Sequence, residues 1–190
     1  SLDGYTRLIY YSRPDSPFVI YSKDEYQVPD SKIGELVSAL LENPDRLPRF
    51  ETYRQRTGNT RDILVCTHGR HDVCCATLGV PIYTELRDRY ANESNGKLRV
   101  WQASHFGGHR FAPNLLDMPE GRNWVRLGVD HLNTLINHDR PVTELRKCYR
   151  GWVGLDNPYK QVLEREVFMR IGWAWTGLLV SAQITKVEDE

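Results

Sequence analysis

Three of the four cysteines, Cys66, Cys74 and Cys75, fall within ten residues of one another. A single buried cysteine would indicate nothing, because a thiol packs well in an apolar core, and burial is the role that we expect for the distant Cys148. A cluster of three is different, since thiolates bind soft metal ions and exchange disulfides. Four cysteines in 190 residues are too few for a scaffold held together by disulfides. The cluster therefore predicts metal or redox chemistry.

Four of the six histidines lie in two short segments of the chain. His68 and His71 lie between the cysteines in CTHGRHDVCC, and His105 and His109 lie in SHFGGHR. The spacing of the second pair would suit one face of a helix, but the two glycines between them disfavour a helix. We interpret this segment as a glycine-rich loop that folds closely around an ion or a cluster.

Sulfur and nitrogen donors suit zinc, copper or an iron–sulfur cluster, whereas calcium and magnesium need oxygen ligands. Three kinds of site are compatible with the residues: a [2Fe–2S] cluster with two Cys and two His ligands, a structural zinc site of the Cys2His2 type, and a metal-free dithiol. The sequence CTH at Cys66 matches the first half of a Rieske motif, but the Cys-x-x-His half is missing. Cys-x-x-Cys is also missing, which disfavours an ordinary thioredoxin-type reductase.

Short apolar runs lead into both segments. Residues 63–65 read Ile-Leu-Val and end at Cys66, and residues 98–101 read Leu-Arg-Val-Trp and lead to His105. Such runs are typical of buried strands. In open α/β sheets, ligand sites form at the carboxyl ends of the strands. We therefore expect two central, parallel strands that bring Cys66 and His105 to one end of a sheet.

The rest of the chain alternates predicted strands and helices. We expect strands over residues 6–11 and 18–21, a helix over 33–41, a helix over 81–90 and a hairpin over 111–127. Helices over 129–137, 142–149 and 159–173 follow, and a strand over 178–184 closes the pattern. This order predicts an α/β fold.

Charge and hydropathy limit the classes of partner. The chain carries 25 basic and 25 acidic side chains, so it has no net charge to neutralise the phosphates of nucleic acid. It has no polybasic segment for a membrane surface, and its longest apolar stretch, residues 167–180, contains Arg170 and is too short to span a bilayer. We expect neither nucleic acid nor membrane as a partner. We expect a cytoplasmic location, because the chain shows no secretory signal. Since the chain begins with Ser, earlier removal of a leader remains an alternative.

The segments CTHGRHDVCCA and SHFGGHRFAPNLL, and the later CYRGW, resemble the sucrase/ferredoxin-like family, a branch of the thioredoxin-like ferredoxins. The resemblance runs from about Asp62 to Arg150 and is weaker before it. It implies an α/β fold with a thioredoxin-like central sheet flanked by helices, an additional β-hairpin and C-terminal helices. We expect one domain over residues 1–190, with an N-terminal strand–helix part at 1–60, a cluster-binding core at 62–150, and a C-terminal helix and strand at 151–190.

The resemblance also implies a cofactor and its ligands. Members with the His-x-Gly-Gly-His form bind a [2Fe–2S] cluster through two cysteines and two histidines. Residue by residue, this implies Cys66, Cys75, His105 and His109 as the ligands of the iron. Cys74 falls where many relatives carry Arg, so we expect it to be a neighbour that does not bind the cluster.

Other polar residues of the two segments receive supporting roles. His68 matches a recurrent histidine of the family, and we expect it to form a hydrogen bond near the cluster. Arg70 and Arg110 could donate hydrogen bonds to the cluster sulfides or hold the loops, although a solvated arginine is an equally good interpretation of each. His71 stands where relatives are often basic, and we expect no role for its imidazole.

The predicted function is one-electron transfer or redox sensing by a thioredoxin-like ferredoxin. We expect an electron-transfer protein rather than an enzyme that converts a substrate, since no motif positions a substrate. Its partner would be a redox protein, and relatives with this fold can form homodimers. Two alternatives stay open: a zinc-stabilised thioredoxin-like binding module, and a thiol–disulfide oxidoreductase that uses Cys66 and Cys75.

Overall fold

The computed structural model describes residues 3–15, 17, 19–70 and 73–180. Within them the chain divides into two compact units. Counting only the described residues, the smaller unit lies within residues 3–12 and 22–59, and the larger lies within residues 13–21 and 60–180. The expectation of a single domain over residues 1–190 stays a prediction.

The smaller unit is an antiparallel sheet with one helix. Strand β1 (Tyr5–Ser12) pairs with β2 (Ser22–Pro29) along its whole length, and the short β3 (Arg54–Gln55) pairs with the other edge of β2. Helix α1 (Ile33–Leu41) follows β2, and a 3-10 segment (Pro44–Tyr53) leads to β3. Apolar side chains spaced along α1 face a small core made by Tyr26, Val28, Leu36, Ala39 and Phe50.

The larger unit is built on a five-stranded mixed sheet. Its strands are β4 (Arg61–Cys66), β5 (Leu98–Ala103), β6 (Asn114–Met118), β7 (Arg122–Val125) and β8 (Tyr149–Trp152), in the order β5-β4-β6-β7-β8. β4 and β5 are parallel, whereas β6, β7 and β8 follow as antiparallel neighbours. A parallel β4–helix–β5 unit beside an antiparallel hairpin is the thioredoxin-like arrangement that the family resemblance implied.

Helices pack against this sheet. Helix α2 (Val73–Glu85) connects β4 to β5 and continues as a π-helical turn (Leu86–Ala91). Helix α3 (Leu132–Asn137) follows β7, and α4 (Pro158–Ile171) packs on β8. The core between them contains Ile63, Val65, Leu115, Trp124 and Phe168, all buried.

Several element boundaries differ from the sequence prediction. The strand expected over residues 18–21 is wrong, because β2 begins at Ser22 and residue 18 lies outside the described residues. The helix expected over 81–90 begins earlier, at Val73, and so includes Cys74 and Cys75. The helix expected over 142–149 is a short 3-10 turn (Val142–Leu145) followed by β8, because Tyr149 to Trp152 pair with the edge of β7.

Other expectations are confirmed or lie partly outside the structure. The hairpin over 111–127 and the helix over 159–173 are present as β6–β7 and α4. β5 lies at an edge of the sheet, not in its centre. The closing strand expected over 178–184 extends beyond the described residues, of which Val180 forms an isolated bridge. Within the described part of the chain, no helix combines the length and the apolar character needed to cross a bilayer.

Candidate metal centre

The parallel pair β4–β5 brings the two predicted segments together. In this register Cys66 stands beside Ala103, so both strands end at the same edge of the sheet. The Thr67 amide donates a further hydrogen bond to the Ala103 carbonyl at 3.2 Å, which holds the two chains together just past the strands. His105 follows two residues after Ala103 and therefore lies near Cys66, at the same edge of the sheet. The expected placement of Cys66 and His105 at one end of the sheet is confirmed.

A buried carboxylate fixes the register of this pair. Asp62 on β4 is fully buried and accepts hydrogen bonds from the Arg99 guanidinium at 2.8 and 3.0 Å and from the Trp101 indole at 2.7 Å. Both donors lie on β5. A buried charge is tolerated only when it is paired and hydrogen-bonded. A slip of β4 against β5 would leave this charge unpaired, so Asp62 favours the one register that places Cys66 beside the His105 loop.

Cys75 reaches the site from the first turn of α2, where it is fully buried. The helix passes very close to the end of β4 at Gly79. A Cβ at Gly79 would lie 2.1 Å from the carbonyl oxygen of Cys66, a distance that no side chain tolerates. Glycine therefore lets the helix lie against the strand, and this contact keeps Cys75 beside Cys66.

The donor atoms converge. Nδ1 of His105 lies 3.9 Å from Sγ of Cys66 and 3.6 Å from Sγ of Cys75. The ligand atoms of the three residues all lie within 4.8 Å of one another. Two thiols and an imidazole at these separations could hold a metal ion.

The Cys75 thiol is protonated at neutral pH in the metal-free protein, because its pKa is raised. Burial raises the pKa of Cys75 to about 12, and the nearby thiols of Cys66 and Cys74 add to the rise. The first turn of a helix favours a thiolate, but here the loss of hydration is the larger effect. A bound cation reverses this balance, because it supplies the positive charge that two adjacent thiolates require.

His109 lies beside the group on the same loop as His105. The two imidazole ring centroids are 6.1 Å apart, and His109 is exposed and lies outside the group of three. Gly107 and Gly108 between them have φ of +96° and +76°, the left-handed region that glycine adopts readily. The Asn114 amide donates to the Gly108 carbonyl at 2.9 Å and holds the loop. The predicted glycine-rich loop is thus confirmed.

A sequence profile of one protein family covers most of the chain. The model of the sucrase/ferredoxin-like family matches residues 9–151. The chain belongs to this family. No curated protein and no solved structure is significantly similar to it.

The structure places the other candidate residues of this sucrase/ferredoxin-like protein around the centre. The Cys74 thiol lies near Cys75, outside the group of three, and donates to the His109 carbonyl at 3.2 Å. His68 has its Nδ1 buried with no hydrogen-bond partner among the described residues. Arg70 and Arg110 are both exposed. Neither forms a hydrogen bond or an ion pair with any residue that the structure describes. His71 lies outside the described residues.

Cys148 is buried, as expected, and its thiol donates to the Arg126 carbonyl at 3.6 Å.

Three residues that support the centre were not identified from the sequence: Asp62, Gly79 and Asn114. A glycine inside a helical segment is an available signal for Gly79. No local pattern marks Asp62, because its partners Arg99 and Trp101 are distant in the chain. Asn114 contacts Gly108 only six residues before it, but nothing in the sequence indicates this contact.

Proposed function

We propose that this protein binds a [2Fe–2S] cluster through Cys66, Cys75, His105 and His109 and acts in one-electron transfer or redox sensing. The observation that carries the proposal is the convergence of Cys66, Cys75 and His105 within 4.8 Å. The chain's membership of a ferredoxin-like family favours iron and sulfide over a lone ion.

The geometry of the loop supports His109 as the fourth ligand of the proposed cluster. Imidazoles that bind one metal ion place their ring centroids about 5 Å apart, judged from metal–nitrogen distances near 2 Å. The 6.1 Å between His105 and His109 is close to this value, and His109 is exposed on a loop of two left-handed glycines. A small change of the loop would therefore bring the second ring to the metal.

The donor set has a consequence for the redox potential. When bound, a [2Fe–2S] cluster accepts and releases one electron at a time. Two neutral imidazoles in place of two thiolates make the site less negative by two charges, and adding an electron becomes easier. We therefore expect a potential above that of a ferredoxin with four cysteine ligands.

A zinc-stabilised binding module is the second candidate function, and one observation favours it. A zinc ion bound to a thiolate at 2.3 Å and to an imidazole at 2.0 Å in tetrahedral geometry separates sulfur from nitrogen by about 3.5 Å. The distances from His105 to the two sulfurs, 3.6 and 3.9 Å, are near this value. A single ion between the three residues therefore also fits.

A thiol–disulfide oxidoreductase is disfavoured. Attack on a disulfide requires a thiolate and an accessible sulfur. The Cys66 and Cys75 side chains are fully buried, and the pKa of Cys75 is raised to about 12. A buried, protonated thiol is a poor nucleophile at neutral pH.

Metal and sulfide analysis separates these functions. The protein is purified anaerobically, and its visible absorbance, iron, zinc and acid-labile sulfide are measured per chain. The proposal expects a reddish-brown protein with two irons and two sulfides. Stoichiometric zinc in a colourless protein, obtained also after reconstitution with iron and sulfide, would establish the zinc module instead. A redox protein as partner, a homodimer and a cytoplasmic location stay predictions.

A further inference from the structure

Four cationic side chains line one pocket of the larger unit. The pocket has a volume of about 260 Å³, and its polar and aromatic lining comprises Phe111, Arg126, Lys147, Tyr149, Arg150 and Arg165. The cations come from four places: the end of β7, the loop before β8, β8 itself and α4. They are far apart in the sequence, so only the fold brings them together.

The pocket has little negative charge to balance them. None of its lining residues is acidic. Among the described residues, Arg126, Lys147 and Arg150 have no carboxylate within ion-pair distance. Arg165 approaches Glu166 at 3.4 Å, but that carboxylate also accepts from Arg146 at 2.5 Å. Like charges gathered in one pocket repel one another, and an anion bound among them would relieve this repulsion.

The pocket also contains donors that are held in place. The guanidinium carbons of Arg126 and Arg150 lie 4.8 and 5.5 Å from the centroid of the Phe111 ring. Stacking on a ring orients a guanidinium and leaves its edge open for hydrogen bonds. Nε of Arg165 is buried and has no hydrogen-bond partner in the part of the chain that the structure describes.

The backbone of Arg126 adopts an uncommon conformation. Its φ of +53° is uncommon for a residue with a long side chain. The Arg126 amide donates to the carbonyls of Phe111 and Pro113, both at 3.0 Å, and these bonds hold the residue in its conformation. The direction in which the Arg126 side chain leaves the backbone is therefore fixed by the fold.

We propose that this pocket binds a tetrahedral oxyanion with two negative charges, such as a phosphate group. Its volume is below the range of pockets for larger organic ligands, so it suits a free phosphate or the terminal phosphate of a small phosphomonoester. Arginine forks match the oxygens of phosphate in pairs, and lysine adds a point charge.

The pocket borders the loop of the candidate metal centre. A Cβ at Gly108 would lie 2.3 Å from Nη1 of Arg150, so the guanidinium of Arg150 lies directly against the backbone that precedes His109. An oxyanion bound by Arg150 would therefore sit beside this loop. The binding itself does not depend on which metal the centre holds.

The test is isothermal titration calorimetry of the full chain with inorganic phosphate, at constant ionic strength kept with chloride. The proposal expects one phosphate per chain. Lys147→Gln and Arg126→Gln should each weaken binding about tenfold, the effect of losing a hydrogen bond to a charged group. The matched control is Arg140→Gln, which removes an exposed arginine paired with Glu144 at 3.5 Å and should leave the affinity unchanged.

Lys147 is exposed, and among the residues that the structure describes it forms no hydrogen bond or ion pair, so the Lys147→Gln protein should fold like the wild type. A phosphomonoester that competes with inorganic phosphate would identify the source of the group as an organic phosphate. Equal phosphate affinity in wild type and in the Arg126→Gln, Lys147→Gln double variant would overturn the proposal. So would binding of an oligoaspartate peptide that excess phosphate does not displace, which would make the surface a docking site for an acidic protein.

Discussion

Gly79 in α2 lies directly against the carbonyl group of Cys66 at the end of β4. A methyl group at Gly79 would fall 2.1 Å from the Cys66 oxygen and 3.2 Å from its carbonyl carbon. Both atoms belong to the backbone and cannot rotate away. This contact sets the distance between the strand that carries Cys66 and the helix that carries Cys75, so a residue without chemistry of its own determines the separation of the two thiols.

We expect Gly79→Ala to destabilise the protein by about 1 to 3 kcal/mol, the usual cost of overpacking. The helix must move from the strand, and metal content should fall because Cys75 moves with it. Chemical denaturation and metal analysis measure both effects. Gly34→Ala is the matched control, because a Cβ at Gly34 in α1 meets no atom within 4 Å. That change should stabilise the helix by about 0.5 kcal/mol. Unchanged metal content in a destabilised Gly79→Ala protein would disprove the role of this contact.

The proposed ligands are tested by single substitutions. Cys66→Ala, Cys75→Ala, His105→Ala and His109→Ala should each abolish or strongly reduce iron and sulfide content, because each removes one bond to the cluster. Cys74→Ser and Cys148→Ser should retain both, since the Cys74 thiol donates to the His109 carbonyl and the Cys148 thiol to the Arg126 carbonyl. Loss of iron in Cys74→Ser with full iron content in Cys75→Ala would show that Cys74, and not Cys75, is the second cysteine ligand.

Asp62 should contribute to stability through the register of β4 and β5. We expect Asp62→Ala to destabilise the protein by about 2 to 4 kcal/mol, because Arg99 and Trp101 lose their common buried acceptor. Glu144→Ala is the control, since it breaks an exposed pair with Arg140 and should cost less than about 0.5 kcal/mol. Urea denaturation measures both. Equal costs for the two variants would show that the buried pair contributes no more than a surface one.

His138 should make the protein less stable in acid. Its ring stacks on Trp173 with centroids 3.8 Å apart, and burial together with the nearby Arg61 lowers its pKa from the ordinary 6.5. The unfolded chain therefore takes up a proton at a pH where the folded protein does not. Stability is full above pH 6.5 and should fall as the pH drops below it, towards the lowered pKa of the folded state.

His138→Asn isolates this effect, because asparagine accepts the positive φ of 53° at this position. Unfolding free energies measured between pH 7.5 and 5 should fall less steeply for the variant than for the wild type. Parallel pH profiles of the two proteins would rule out a contribution of His138.

Local patterns of the sequence were sufficient to identify the strands that lead to the site. The run Ile63 to Val65 is short and apolar, and such runs are typical of buried strands. Cys66 and His105 follow two such runs, and the rule for parallel strands then places both at one edge. The family's motifs added Cys75 and His109 as proposed ligands, which no periodicity implies.

Local patterns failed where distant contacts decide the conformation. Gly79 and Pro81 are signals of a turn, yet α2 runs through both, because Gly79 is the residue that fits against the Cys66 carbonyl. The start of α2, and with it the placement of Cys75 in a helix, was therefore missed.

Tertiary structure alone decided which charges meet. Each of Arg126, Lys147 and Arg165 would be interpreted from the sequence as a solvated side chain, because charged residues are mostly exposed. The pairing of β7 with β8 and the packing of α4 on β8 bring them to one pocket. The sequence determined the chemistry available to this protein, since residue types and local burial patterns are properties of short segments. Only the folded sheet decided the geometry, because a separation of a few ångströms between distant residues depends on every contact that packs between them.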